Sequence, residues 1–171
     1  MNALETEVVE QSTRITPFVL GQLVPEQGGY YAGVVRGENG APDHHLFVAP
    51  EDASADEVRW GKYGKSIEGA RLVNDGAANT EALIAAGECP AAEACHAYRG
   101  NGFDDWYLPS QAELNVCYAN AREHFADRWY WSSTQSSANY AWVQYFLNGD
   151  QDLVPKVDDY RVRAVRRLVI Q

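Results

Sequence analysis

The chain is short of cysteine, of positive charge and of long apolar runs, and each shortage removes a class of protein. Cys89, Cys95 and Cys117 are too few and odd in number for a disulfide framework, so free thiols are expected. Lys and Arg number 14 against 24 Asp and Glu, a formal net charge of −10. That field repels phosphate backbones, which leaves nucleic acid out as a partner. No stretch approaches the roughly 18 apolar residues of a membrane span, so no insertion is expected. The opening Met1-Asn2-Ala3-Leu4-Glu5-Thr6-Glu7 has neither the basic nor the apolar region of a secretory signal. The expectation is a product made in the cytosol that stays there or leaves by another route.

Catalytic motifs are missing too. There is no G-x-S-x-G, P-loop, H-E-x-x-H or paired C-x-x-C. His44 and His45 are adjacent, so on a strand their rings point to opposite faces. Cys89, Cys95 and His96 match no common zinc spacing. Asp150-x-Asp152 lacks the rest of a calcium loop. Asp104-Asp105 and Asp158-Asp159 read as solvated turn formers. The expectation is no enzyme, no metal and no cofactor.

What is present is a core. At 19.0 kDa the chain is one domain or one domain plus an arm, with roughly 70% of its extended surface buried on folding. Hydrophobic residues make up 46% and charged residues 22%, which excludes wholesale disorder. Five Trp, ten Tyr and five Phe are many for this size, and such rings fill cores or build binding surfaces.

Residues 1–27 read as an extended N-terminal arm. It is acidic, with one short strand over 15–20 that Pro17 confines to an edge; it is read either as a frayed terminus or as an arm that docks on a partner. From residue 28 to 171 the pattern is α+β. Tyr30–Val35 and Leu46–Pro50 are strands, with Asn39-Gly40 a turn between them. Asn79-Thr80 caps a helix that Gly87 stops, and Pro90 opens another through Ala97. Ser110 and Glu113 form a capping box ahead of Leu114, Cys117, Tyr118 and Ala121 on one helix face. After Phe125 the period becomes that of strands. Tyr140–Leu147 and Asp150–Val157 form a hairpin about Asn148-Gly149, and Tyr160–Ile170 is a last strand with a bulge near Arg166.

One set of motifs is more specific. Gly102-Phe103-Asp104-Asp105-Trp106-Tyr107-Leu108-Pro109-Ser110, Tyr130-Trp131-Ser132-Ser133-Thr134, Ala141-Trp142 and Tyr160-Arg161-Val162-Arg163-Ala164-Val165-Arg166 stand in order. With Val48-Ala49-Pro50-Glu51-Asp52, Trp60-Gly61 and Gly76–Thr80 upstream, residues 28–168 resemble the Lcl C-terminal-domain family. The resemblance implies a C-type-lectin-like fold, with helices packed on a small twisted antiparallel sheet. Variable proteins of diversity-generating retroelements and phage tail receptor binders share that fold. It implies non-enzymatic recognition of a host-surface protein or glycan. The E-P-N, Q-P-D and W-N-D signatures of calcium-dependent sugar binding are absent.

Alternation alone would bury the apolar set Ala141, Val143, Tyr145 and Leu147. The resemblance reverses this: Trp131, Trp142 and Phe146 become core, and Gln144 then needs a buried partner. The ligand-binding surface so implied is Tyr140, Val143, Tyr145, Asp150, Asp152, Lys156, Asp158 and Tyr160. The plainer reading makes these ordinary solvent-facing strand positions. Trp106 and Trp129 are further candidates for stacking on a sugar.

The resulting expectation is a phage virion protein of the tail tip, fibre or decoration type. Its arm would join other virion structural proteins, and a homotrimer is common among tail receptor binders. The alternatives are a bacterial surface adhesin and a purely structural cement protein.

Overall fold

The computed structural model describes residues 17–171. Its first sheet contains β1 (Leu23–Val24), β2 (Gly29–Val35), β3 (His44–Val48) and β9 (Val165–Val169), antiparallel in the order β1-β2-β3-β9. Asn39 and Gly40 both take positive φ, which turns β2 back into β3. A bulge between Tyr31 and Gly33 interrupts the β2–β3 register. Asn120 donates to the Ala32 carbonyl at that bulge (2.7 Å).

The described part of the expected arm is docked on this sheet. Gly21 donates to the Tyr31 carbonyl and Tyr31 donates to that of Gln22, and the Phe18 ring packs against Tyr31, His45 and Phe47. A boundary at residue 27 therefore cuts through paired strands. Of the strand expected over 15–20, residues 17–20 are irregular. Residues 1–16 lie outside the described residues.

The helices start and stop on local chemistry. Asp75 caps α1 (Gly76–Ala86) by accepting from the Ala78 amide, and Gly87 ends it with positive φ. The helix starts before the expected Asn79-Thr80 cap because those two side chains turn inward. Asn79 holds both backbone groups of Leu72, and the Thr80 hydroxyl bonds the Gly76 carbonyl and the Leu108 amide. α2 (Pro90–Ala97) opens with proline in its first turn. α3 (Gln111–Ala121) has the full capping box of Ser110 and Glu113.

The second sheet pairs β4 (Val58–Arg59) with β8 (Asp159–Tyr160), and the third is a meander of β5 (Trp129–Gln135), β6 (Tyr140–Tyr145) and β7 (Gln151–Pro155). The expected long last strand is therefore broken, and earlier than Arg166. Residues 161–164 cross from the second sheet to the first. Arg161 and Arg163 reach Asp52 on the way, at 2.8 and 2.7 Å.

α3 packs against both the first and the third sheet. β5 and the segment from β6 to Phe146 consequently feed two cores. Trp131, Ala141 and Val143 join Trp60, Trp106 and Leu83 in one cluster. Tyr130 and Phe146 join Leu46, Leu114, Cys117 and Phe125 in the other. Between the two cores neither face is free at Val143 and Gln144, and only the Tyr140 end of β6 lies beyond them.

Candidate binding surface

The β6–β7 hairpin positions most of the expected site. Tyr145 and Asp150 flank a four-residue loop in which Gly149 donates to the Tyr145 carbonyl (2.8 Å) and Tyr145 to that of Asp150 (2.8 Å). The two-residue Asn-Gly turn expected at 148–149 does not form. Phe146 is drawn off the ladder: its ring stacks on Phe125 at 3.9 Å and its amide donates to Arg128 (3.0 Å). Gly149 takes φ +86 and lies where a Cβ would meet the Tyr118 ring at 2.5 Å.

The structure divides the eight expected residues. Val143 is 1% exposed and Lys156 is fully buried, so neither is on a binding surface. Val143 lies opposite Trp131 in register, inside the larger core. Lys156 donates to the Lys65 carbonyl and to Gln135 Oε1, both at 2.8 Å, and places its ammonium 4.5 Å from the centre of the Trp60 ring. Burial, with no carboxylate partner among the described residues, lowers its pKa to about 8.

Tyr145 is half-buried and stacks on Trp129 at 4.9 Å. Tyr160 sets its edge on Trp131, and its pKa is raised by burial and then by Asp158, Asp152 and Glu57. Tyr145, Asp152, Asp158 and Tyr160 thus border one side of the third sheet, and Asp150 is exposed in the loop. Tyr140 points to the opposite side.

On that opposite side Phe146 is core, as expected, but Trp142 is only half-buried and belongs to neither cluster. Gln144 is buried and has the partners it requires: it donates to Asn115 Oδ1 (3.3 Å), and Gln151 donates to it (2.9 Å). α3 covers this end of the sheet, where Gln111 meets Gln151.

Towards the other end the sheet is open. Tyr140 and Trp142 share a strand face, Trp142 lies opposite Leu153, and Tyr63 reaches in from a loop to 6.5 Å from Tyr140, edge to face. Tyr63 is 54% exposed, Tyr140 39% and Leu153 38%. Sequence reasoning found only Tyr140 of this group. The signal for Tyr63 is its place between Gly61 and Gly64, where an aromatic has little core to enter.

Trp106 is buried, with its indole N–H donated to Gly100 (3.3 Å), and offers no face to a sugar. The strongest buried polar group is equally closed. Glu113 accepts from the Tyr107 hydroxyl (2.8 Å) and the Ser110 amide (2.8 Å), and pairs with His44 at 2.9 Å. The three thiols are buried and unpaired. Burial pushes Cys89 up to about 11, and Cys95 and Cys117 higher still. Among the described residues no three His, Cys, Asp or Glu side chains gather as metal ligands, and no helix is long and apolar enough to cross a membrane.

A mixed α+β module of antiparallel sheets and three helices, with an aromatic patch on the open end of one sheet, is the class these features define. The chain belongs to the Lcl C-terminal domain family, whose model matches residues 54–166. The match spans β4 to the start of β9 and omits β1–β3, the last of which pairs with β9 all the same. No curated protein matches the chain.

Proposed function

We propose that the chain is a non-enzymatic recognition module of C-type-lectin-like fold that binds a host-surface protein or glycan. Its contact surface is the patch of Tyr63, Tyr140, Trp142 and Leu153. The observation that carries this reading is the exposure of those large side chains together on the end of the third sheet that α3 leaves uncovered. Contiguous exposed aromatics of this kind mark interaction sites on soluble domains. The raised thiols and the hydrogen-bonded Glu113 are held as structural groups of the cores, which fits binding without catalysis.

The setting is a phage virion, in a tail-tip, fibre or decoration role. The ground for it is the resemblance of the motifs at 102–110, 130–134 and 160–166 to the Lcl C-terminal domain family, whose implied C-type-lectin-like fold is shared by tail receptor binders. A bacterial surface adhesin uses the same surface on a different carrier, and a cement protein keeps the fold without a receptor.

Fluorescently labelled chain tests the reading on intact bacterial cells, untreated, protease-treated or oxidised with periodate. Binding lost to protease identifies a protein receptor, and binding lost to periodate a glycan. Tyr63→Ala with Tyr140→Ala is expected to abolish binding while the melting curve stays that of the parent. Undiminished binding by this variant would remove the patch from the site.

A further inference from the structure

The first sheet ends on β9, and one side of that strand is open. Val165 donates to the Tyr107 carbonyl and accepts from its amide, so its backbone groups point away from β3. Ile170 donates to Asp43, on the β3 side. Backbone groups alternate along an antiparallel strand. Those of Arg167 and Val169 therefore point outward, beyond the single pair with Tyr107, and among the described residues they have no hydrogen-bond partner.

The segment before Tyr107 does not continue the pairing. Its next antiparallel position opposite Arg167 is Asp105, whose carboxylate instead holds Arg166 at 2.7 and 2.8 Å. The two strands splay and leave a cleft of about 330 Å³ between Asp104–Tyr107 and Arg167–Val169, with Ala77 and Thr80 of α1 at its side. The open edge therefore runs along a ready groove.

The carboxylates in the groove that lack an ion-pair partner among the described residues outnumber its cations, although His96 also lines it. Asp105 is taken by Arg166 and Arg167 by Asp75. Glu81 and Asp104 also line the groove, are exposed, and have no ion-pair partner among the described residues. The chain's own first sixteen residues have the wrong charge for this place, with Glu5, Glu7 and Glu10 against Arg14.

We propose that the outer edge of β9 docks an extended, basic segment of a partner protein. The segment adds as a strand beside Arg167 and Val169 and sets a Lys or Arg against Glu81 and Asp104. Main-chain hydrogen bonds supply affinity in such strand addition, and the flanking side chains supply selection. The site is separate from the Tyr63–Tyr140 patch and does not depend on it.

The test uses the full chain and two labelled peptides, Lys-Val-Lys-Val-Lys-Val and Glu-Val-Glu-Val-Glu-Val, read by fluorescence anisotropy. The basic peptide is expected to bind at least about tenfold more tightly than the acidic one. Val169→Pro removes an outward N–H and leaves the β3 ladder intact, as proline does on an edge. It is expected to lose that binding while melting like the parent, and Glu81→Lys with Asp104→Lys to lose it as well. Independently of any variant, the Arg167 and Val169 amides should exchange quickly in the free chain and slowly with the basic peptide bound.

Basic-peptide binding undiminished by Val169→Pro would reduce the effect to charge attraction and overturn the proposal. So would failure of both peptides to bind. Slow exchange of both amides in the free full chain would show the edge already covered, and would overturn it too.

Discussion

Lys156 carries its ammonium into the body with no carboxylate to meet it among the described residues, held by the Lys65 carbonyl, Gln135 and the face of Trp60. Its folded pKa of about 8 lies below the unfolded value of about 10.4. Between these values the unfolded chain binds more protons, so the residue's contribution to stability rises with pH there. The buried thiols oppose it, since raised pKa values lose stability as pH climbs past the unfolded thiol value. The effect of Lys156 is therefore isolated by comparison with Lys156→Met. Denaturant midpoints should show the parent gaining on the variant from about pH 8 to about pH 10.4. A gap that stays flat across that window would contradict the account. Phe146 and Trp142 give a second residue-level contrast. Phe146→Ala is expected to cost about 3–5 kcal/mol, because a buried ring leaves a cavity, and the half-buried Trp142→Ala less than half as much. Equal losses in urea titrations would place Trp142 back in the core.

Elements whose ends are set by neighbouring residues are legible in the amino-acid sequence alone. The capping box at Ser110 and Glu113, proline in the first turn of α2 and Gly87 after α1 all act within a few residues of themselves. The β6–β7 hairpin is legible as a hairpin but not in its turn. The residue that decides the turn, Phe146, answers to Phe125 and Arg128, twenty-one and eighteen residues away in sequence. Gly149 is required for the geometry that results. Gly149→Ala must place a Cβ against Tyr118 at positive φ, so it should destabilise by more than about 1 kcal/mol. Thermal melts that match the parent would show that the loop relaxes to another turn. The face assignment of β6 fails for a related reason. Period-two alternation identifies a buried face only when the other is wet, and α3 on one side with the Trp60–Trp106 cluster on the other makes both faces dry at Val143 and Gln144.

Across the whole molecule, contacts between distant segments join the sheets and also assemble the exposed aromatic patch. Asp52 accepts from Arg161, Arg163 and Tyr130, which ties the loop after β3 to the crossing between β8 and β9. Tyr63 meets Tyr140 across 77 positions because the loop that carries it is held to the third sheet: Gly64 donates to Ala138 and Lys156 holds Lys65. The family and the α+β class are readable from ordered motifs. The patch is not, because its members come from three segments that only the fold assembles. For the virion setting proposed above, the most direct measurement is adsorption of particles that carry Tyr63→Ala with Tyr140→Ala in place of the parent chain. Truncation of such exposed side chains changes stability by only about 0.5 kcal/mol, so the variant should fold and be incorporated at the parent's level. The account predicts that these particles fail to adsorb to the host. Adsorption at the parent's rate, with incorporation unchanged, would contradict it and leave the chain a structural component without a receptor.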